Sequence, residues 1–395
     1  MPDTNQSRLL NSRYLMLLMV NLITSVSFAM VYTTISSYVT GLGVSVAIAG
    51  VVTGAFNISS MVMRPLSGLV SDRVNRKWLL VISNTGMGLA ICGYAVAQDP
   101  TTLITLRIVH GIIFALSTTV NMAIIPGIVP RNQIGEAICY FGLSQSLAMS
   151  VGPAFGLWLA GINGFSLTFL VVAGLCVASG LLAIPFKLTD DNAERPTSKG
   201  LKLSDIIVPQ CLPFTMIEIT IASVAGLESS MMVLYAATQG IANIGWYFTI
   251  SAFTVVLCRM FLGKIIDQKG TFAVYPGLAL MVAGLLILWL QQGLWMFALA
   301  AVVKTVGVNL AKPALQAAAV KSVTPDKRGA AVSTYYIGTD LGQGTAPMIG
   351  GRIVDMNGGN YGMLFMIFAL PLALSGAAYY WISQQVKKKA SVKEA

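Results

Sequence analysis

Of the 395 residues, 55% are hydrophobic and only 10% are charged, and the mean hydropathy is +0.75, which excludes an ordinary soluble domain and describes a membrane protein. The formal net charge is +10, but Lys and Arg neither gather on one amphipathic helix nor interleave with aromatics, which excludes a nucleic-acid partner. Five cysteines, Cys92, Cys139, Cys176, Cys211 and Cys258, stand singly inside apolar runs without disulfide or metal-ligand spacing and read as small packing residues.

At about 20 apolar residues per span, helices are predicted at 14–38, 46–70, 78–97, 101–126, 136–160, 165–186, 206–236, 243–266, 271–290, 294–320, 330–351 and 361–382. The first run lacks a small-residue cleavage site and is expected to persist as a span. Turn residues mark the breaks: Gly41 and Gly43, Asp99-Pro100, Asn163-Gly164, and Asn357-Gly358-Gly359. Arg8, Arg13, Arg73, Arg76, Lys77, Arg131, the basic residues of 187–202, Lys264, Lys269, Lys321, Lys327, Arg328 and Lys387 to Lys389 all fall on one side of these spans. The opposite loops hold essentially only Arg352, so the termini are expected in the cytoplasm. The expected organisation is a six-helix bundle over 1–186, a polar cytoplasmic linker over 187–205, and a second six-helix bundle with a cytoplasmic tail over 206–395.

A repeat supports two similar halves. In RPLSGLVSDRVNRK, Arg64 and Gly68 stand eight and four residues before Asp72; in RMFLGKIIDQKG, Arg259 and Gly263 stand eight and four before Asp267. Twelve spans in two halves, a long central loop and this motif resemble the major facilitator superfamily, over nearly the whole chain. That family's loop runs Gly-x-Leu-Ala-Asp-Arg-x-Gly-Arg-Lys. This chain keeps Gly68, Asp72, Arg73, Arg76 and Lys77, with Val70, Ser71 and Asn75 at the Leu, Ala and second Gly positions, and Gln268 replaces Arg in the second copy. An Asp at a helix end accepts from helix N-termini and from Arg, while Gly68 would admit a close helix neighbour. The resemblance implies a latch on the cytoplasmic side built from Arg64, Gly68, Asp72, Arg73, Arg76, Lys77, Arg259, Gly263 and Asp267.

Polar groups inside the spans supply the remaining signals. Arg107, costly in a membrane and so expected to face the bundle interior, is followed by His110 and Gly111; the superfamily's exporters often carry Arg-x-x-Gln-Gly here, with His110 replacing Gln. His110, the one histidine, reads as a proton carrier or as a hydrogen-bonded packing residue. Gly152-Pro153-x-x-Gly156 in the 136–160 span, echoed by Pro347 and Gly350 in the 330–351 span, predicts kinked, closely packed helices. Its Gly-Pro-x-x-Gly-Gly relative belongs to proton-exchanging exporters, and Leu157 takes the last position here.

Glu218 and Glu228 lie in one span, Lys304, Asn309 and Lys312 in another, and Asp340, with Tyr335, Tyr336 and Gln343, in a third. A short turn joins the last two, which suggests a Lys304–Asp340 pair and leaves Glu228, then Glu218, then Asp340 as proton-coupling candidates. Arg107, Lys304, Asn309, Asn21, Tyr32, Tyr336 and Gln343 are the candidates for a substrate cavity. Several hydroxyls of the first span either line that cavity or bond back to their own helix. Trp246 and Tyr247 read as an interfacial belt or as ligand-stacking residues.

No Walker loop, metal cluster or nucleophile elbow occurs, so neither enzyme activity, cofactor nor metal is expected, and energy has to come from a gradient. The expected fold is an all-α, twelve-helix membrane protein in two pseudo-symmetric six-helix bundles. The expected function is alternating-access, proton-coupled export of a small compound by a monomer in the bacterial plasma membrane, resembling the drug and metabolite antiporters. Proton-coupled uptake, lipid flipping and non-transporting reception are the alternatives.

Overall fold

The computed structural model describes residues 10–130, 133–185, 207–241, 244–290, 293–324 and 328–394, without the side chains at 72, 135, 139, 259, 260, 262–269, 328, 329 and 385–394. The predicted linker over 187–205 lies outside the described residues. Among the described residues there are eleven α-helices: α1 Ser12–Gly41, α2 Val46–Arg73, α3 Arg76–Tyr94, α4 Pro100–Ile128, α5 Ile134–Leu182, α6 Leu212–Thr238, α7 Gly245–Lys269, α8 Val274–Leu290, α9 Leu294–Lys321, α10 Arg328–Met356 and α11 Tyr361–Glu394.

Eight helices among the described residues are long and apolar enough to cross a membrane, which makes this a multi-pass membrane protein. The helices α3, α7 and α10 are not among the eight; α7 offers a shorter apolar stretch, Gly245–Cys258. Helix α5 has 49 residues and departs from helical geometry at Gly164 (φ 77, ψ 170). At about 1.5 Å per residue its length is roughly twice the hydrocarbon core of a bilayer. The sequence break at Asn163-Gly164 therefore appears as a kink between two helical segments and not as a loop.

Caps explain where several helices begin. Asn11 accepts from the Tyr14 amide at 2.9 Å and donates to the Ile128 carbonyl at 2.7 Å, so the start of α1 is tied to the end of α4. Asp99 accepts from the Thr102 amide at 2.8 Å, with Pro100 at the first helical position of α4. Asn75, which stands where the superfamily loop has its second Gly, accepts from the Trp78 amide at 3.2 Å and caps α3.

The chain divides into two compact units, Met1–Val44 with Val51–Gly200, and Ser45–Gly50 with Leu201–Ala395. In the first unit α5 packs on α1 and α3, and α3 on α4. A Cβ at Gly152 would lie 2.6 Å from the Ala29 Cβ, and one at Gly156 would lie 3.0 Å from the Met30 Cα, so these two glycines set the α1–α5 approach. In the second unit α6 packs on α10, α8 on α9 and α11, and α7 on α9. Here a Cβ at Gly338 or Gly342 would meet the Thr215 or Ile219 carbonyl oxygen at 2.7 and 2.4 Å. This brings the backbones of α10 and α6 together around Glu218.

Candidate functional site: two buried glutamate–lysine pairs

Both acids of α6 are bound by lysines of α9. Glu218 pairs with Lys312 at 2.9 Å and Glu228 pairs with Lys304. The order of partners reverses along the two helices, as antiparallel neighbours require, and the pairs form two rungs separated by roughly 12–15 Å of helix rise. Lys304 is therefore held by Glu228 and not by Asp340. The short turn between α9 and α10 made the latter pair look natural, but α6 presents its acids to the same lysine-bearing helix.

The rungs differ in surroundings. Glu218 has no exposed surface, and it accepts from the Tyr335 hydroxyl at 2.5 Å and the Thr339 hydroxyl at 2.6 Å besides Lys312. The Lys312 side chain keeps 30% of its surface exposed, against 0% for Glu218. In the other rung Lys304 and Glu228 are 6% and 14% exposed. Gly284 makes room for the Lys304 stem, since a Cβ there would lie 2.7 Å from the Lys304 Cβ, and the Lys304 ammonium sits 5.7 Å from the centre of the Tyr247 ring. Tyr247 is fully buried, so it belongs to this charge cluster and not to an interfacial belt. Asp340 is also buried and acts electrostatically on Lys312, as does Tyr336. Tyr336 is 39% exposed and meets Tyr335 edge to face, whereas Asn309 bonds back to the Thr305 carbonyl of its own helix at 2.9 Å. Gln343 presents its backbone to Gly226.

The first unit handles its buried cation differently. Arg107 is fully buried, donates to the Val52 and Thr53 carbonyls at 3.2 and 3.1 Å, and lies 4.6 Å from the centre of the Phe56 ring. Its guanidinium thus staples α4 to α2. His110 is buried, with Nδ1 3.0 Å from the Tyr94 hydroxyl and its ring edge-on to Phe56, the arrangement of a hydrogen-bonded packing histidine.

Most polar groups of α1 are occupied by packing partners. Asn21 donates to the Ser144 hydroxyl at 2.6 Å, Thr24 meets Ser179 at 3.3 Å, and Tyr32 accepts from Asn57 at 3.2 Å. Thr33 and Thr34 bond back to the Ala29 and Met30 carbonyls. Asn21 thus ties α1 to α5, and Tyr32 ties α1 to α2.

In the loop motif, Arg76 donates to the Ser71 and Ala123 carbonyls at 3.3 and 3.0 Å, anchoring the α2–α3 turn to α4. Lys77 lies over the Trp78 ring at 5.4 Å, Arg73 is exposed, and Arg64 is half-buried. Among the described residues, nothing lies within 4 Å of a Cβ built at Gly68. The side chains of Asp72, Arg259 and Asp267, and the surroundings of Gly263, lie outside what the structure describes. Pro153 and Pro347 both stand inside helices, and a Cβ at Gly350 would meet the Leu227 side chain at 2.6 Å. Of the cysteines, Cys176, Cys211 and Cys258 are buried as expected of packing residues, but Cys92 is exposed.

Sequence reading missed Lys312 as the partner of Glu218, the two hydroxyls that share that carboxylate, and Tyr94. The Tyr335 to Thr339 spacing, one helical turn, was the available signal for the hydroxyl pair.

Buried titratable pairs inside apolar helices are the mark of membrane transport proteins. The Major Facilitator Superfamily model matches residues 17–242 and 214–395. The chain belongs to that superfamily. It is 24% identical over 377 residues to the MFS-type transporter YhhS of Escherichia coli (strain K12), spanning 90% of this chain and 89% of the relative. It is 25% identical over 262 residues to the staphylopine export protein of Staphylococcus aureus (strain Mu50 / ATCC 700699), spanning 62% and 64%. A crystal structure of a mutant of the nucleoside transporter NupG shares the fold with a TM-score of 0.80 at 14% identity, covering 94% of this chain and 100% of that one. The protein is a secondary transporter that moves small molecules across a membrane, and not an enzyme.

Proposed function

We propose that this transporter exports a small organic compound in exchange for protons, with Glu218 as the first proton-coupling group and Glu228 the second. One observation carries the reading: Glu218 is sealed while its counter-ion Lys312 keeps 30% of its side-chain surface exposed. A proton arriving at Glu218 neutralises the carboxylate and releases Lys312, so occupancy by a proton is converted into the loss of one rung between α6 and α9. Glu228 is paired as closely, with Lys304, but both partners of that rung are largely sealed, so it ranks second. Asp340, in the field of Lys312, is third.

The export direction is supported by Gly152-Pro153-x-x-Gly156 at the α1–α5 contact and by similarity to an export protein. Counting α5 as two spans about Gly164 gives twelve, arranged as two six-helix bundles in the bacterial plasma membrane with both termini in the cytoplasm. The charged α2–α3 and α7–α8 turns, with Asp72 and Asp267, serve as the cytoplasmic latch.

The test is flux in proteoliposomes with an imposed pH gradient. Wild type should accumulate substrate against its gradient toward the acidic side, whereas Glu218→Gln should retain exchange at equal pH and lose accumulation. Accumulation toward the alkaline side would make the protein a symporter, and binding without flux would make it a receptor.

A further inference from the structure

The rung at Glu218 also carries information about the substrate, on the reading that Glu218 is the coupling carboxylate. Three donors converge on this acid: the Tyr335 and Thr339 hydroxyls of α10 and the Lys312 ammonium of α9. The two hydroxyls belong to the α6–α10 seam, fixed by the close contacts of Gly338 and Gly342 with α6. Lys312 is different, because its side chain keeps 30% of its surface exposed while Glu218 has none. Access to Glu218 therefore runs through the place that Lys312 occupies.

Whatever displaces Lys312 has to leave the sealed carboxylate compensated, because removing one partner of a buried pair is strongly unfavourable. An anionic group would draw the lysine away and leave Glu218 with two neutral hydroxyls. It would also enter a cluster that already holds the negative charges of Glu218 and Asp340. A cation satisfies the condition, since it takes over the N–H donation while Lys312 turns its ammonium toward water. The Lys312 side chain that holds this place is itself an unbranched alkyl stem ending in an N–H donor, and the partly exposed Tyr336 acts on the same ammonium.

We propose that Lys312 is a tethered stand-in for the substrate, and that the transported compound carries a slender aliphatic ammonium group which replaces the Lys312 ammonium on Glu218. Proton, substrate ammonium and Lys312 then compete for one carboxylate. The groups on Glu218 are Lys312 from α9 and Tyr335 and Thr339 from α10; Tyr336 and Asp340 of α10 act on Lys312, and from α11 Ser375 bonds Thr220 two residues along α6.

The experiment uses n-butylammonium, which reproduces a lysine side chain, with tetramethylammonium and butyrate as controls, and thermal stabilisation of the full-length protein in detergent as the readout. Butylammonium should stabilise wild type saturably, more weakly as the pH is lowered. In Lys312→Gln, where the tethered competitor is gone, half-saturation should fall about tenfold. In Glu218→Gln the effect should vanish. Tetramethylammonium, which has no N–H to donate, and butyrate should not stabilise.

Stabilisation by butyrate, retained in Glu218→Gln, would overturn the proposal in favour of an anion held by Lys312. So would a butylammonium effect that is unchanged in Glu218→Gln. Should Lys312→Gln fail to fold, the wild-type and Glu218→Gln titrations decide the matter by themselves. A proposal that fails here leaves gradient-driven flux untouched, whereas absent proton coupling with intact butylammonium binding would remove only the antiport reading.

Discussion

The two units bury charge by different chemistry. In the first, the fully buried cation among the described residues is Arg107, held by two backbone carbonyls and an aromatic face; in the second, buried charge sits on two Glu–Lys pairs with Asp340 beside them. A guanidinium stays protonated under all physiological conditions and binds carbonyls in a fixed fork. A carboxylate–ammonium pair can be undone by one proton or by one competing ion. The difference assigns rigidity to Arg107 and switching to the α6–α9 rungs.

The most disruptive way to probe this difference is to strand one partner. Lys304→Ala leaves Glu228 without its ammonium in a rung where both side chains are largely sealed, and should cost about 3–5 kcal/mol. Combining Lys304→Met with Glu228→Leu should recover most of that loss in unfolding experiments in detergent. Lys312→Ala should cost less than Lys304→Ala, since Tyr335 and Thr339 remain on Glu218. A double variant as unstable as the single one would show that the Lys304–Glu228 contact does not govern stability there.

Arg107→Met is the corresponding change in the first unit. It removes two charged hydrogen bonds to carbonyls, worth about 1.5–3 kcal/mol each before the relief of burying a cation is subtracted, so a net loss of about 2 kcal/mol is expected. The pH profile of transport by the surviving protein should match wild type. A displaced profile would return Arg107, and His110 beside it, to the coupling machinery and erase the division of labour between the units.

Helix contacts allow a finer comparison. Gly152→Ala forces a methyl against Ala29 and the Val26 carbonyl and should cost about 1–3 kcal/mol. Gly68→Ala enters open space and should stay within about 0.5 kcal/mol of wild type. A large stability loss for Gly68→Ala would mean that the protein adopts another arrangement in which Gly68 meets a neighbour, as the loop motif had implied.

These cases also show which features were readable before the structure. Apolar length and turn residues located helix boundaries well, because both are local properties: Gly43, Gly358 and Gly359 have positive φ where breaks were placed, and Asp99-Pro100 begins α4. Buried acids and bases were visible as costly residues in apolar runs. Their partners were not, because pairing depends on which helices touch, and proximity in sequence favoured Asp340 for Lys304 when the contact comes from α6. Tyr335 and Thr339 stand one helical turn apart, but that spacing alone does not single them out, since a hydroxyl in a span is equally at home on its own helix carbonyl. Asn21 and Tyr32, candidates for the cavity, show the same ambiguity, because their ties to Ser144 and Asn57 could not be read from the sequence.

The smallest expected effect lies at the end of the helix that carries Arg107. Asp99 is fully exposed and caps α4, and hydrogen bonding from Thr102, first through its side chain and then through its amide, holds the carboxyl below its ordinary value of 3.8. A depressed native value means that the ionised form is favoured by folding. The contribution is therefore fully present above the unfolded-state value and is lost as the pH falls through the lower native one. Asp99→Asn keeps a capping oxygen but cannot titrate, so its melting temperature should lie slightly below wild type near neutral pH and meet it at the acid end. Asp99→Ala should be lower than both near neutral pH, with the gap narrowing on acidification. A gap between wild type and Asp99→Asn that widens toward low pH would contradict the sign and place the acid-sensitive group of the first unit somewhere other than this cap.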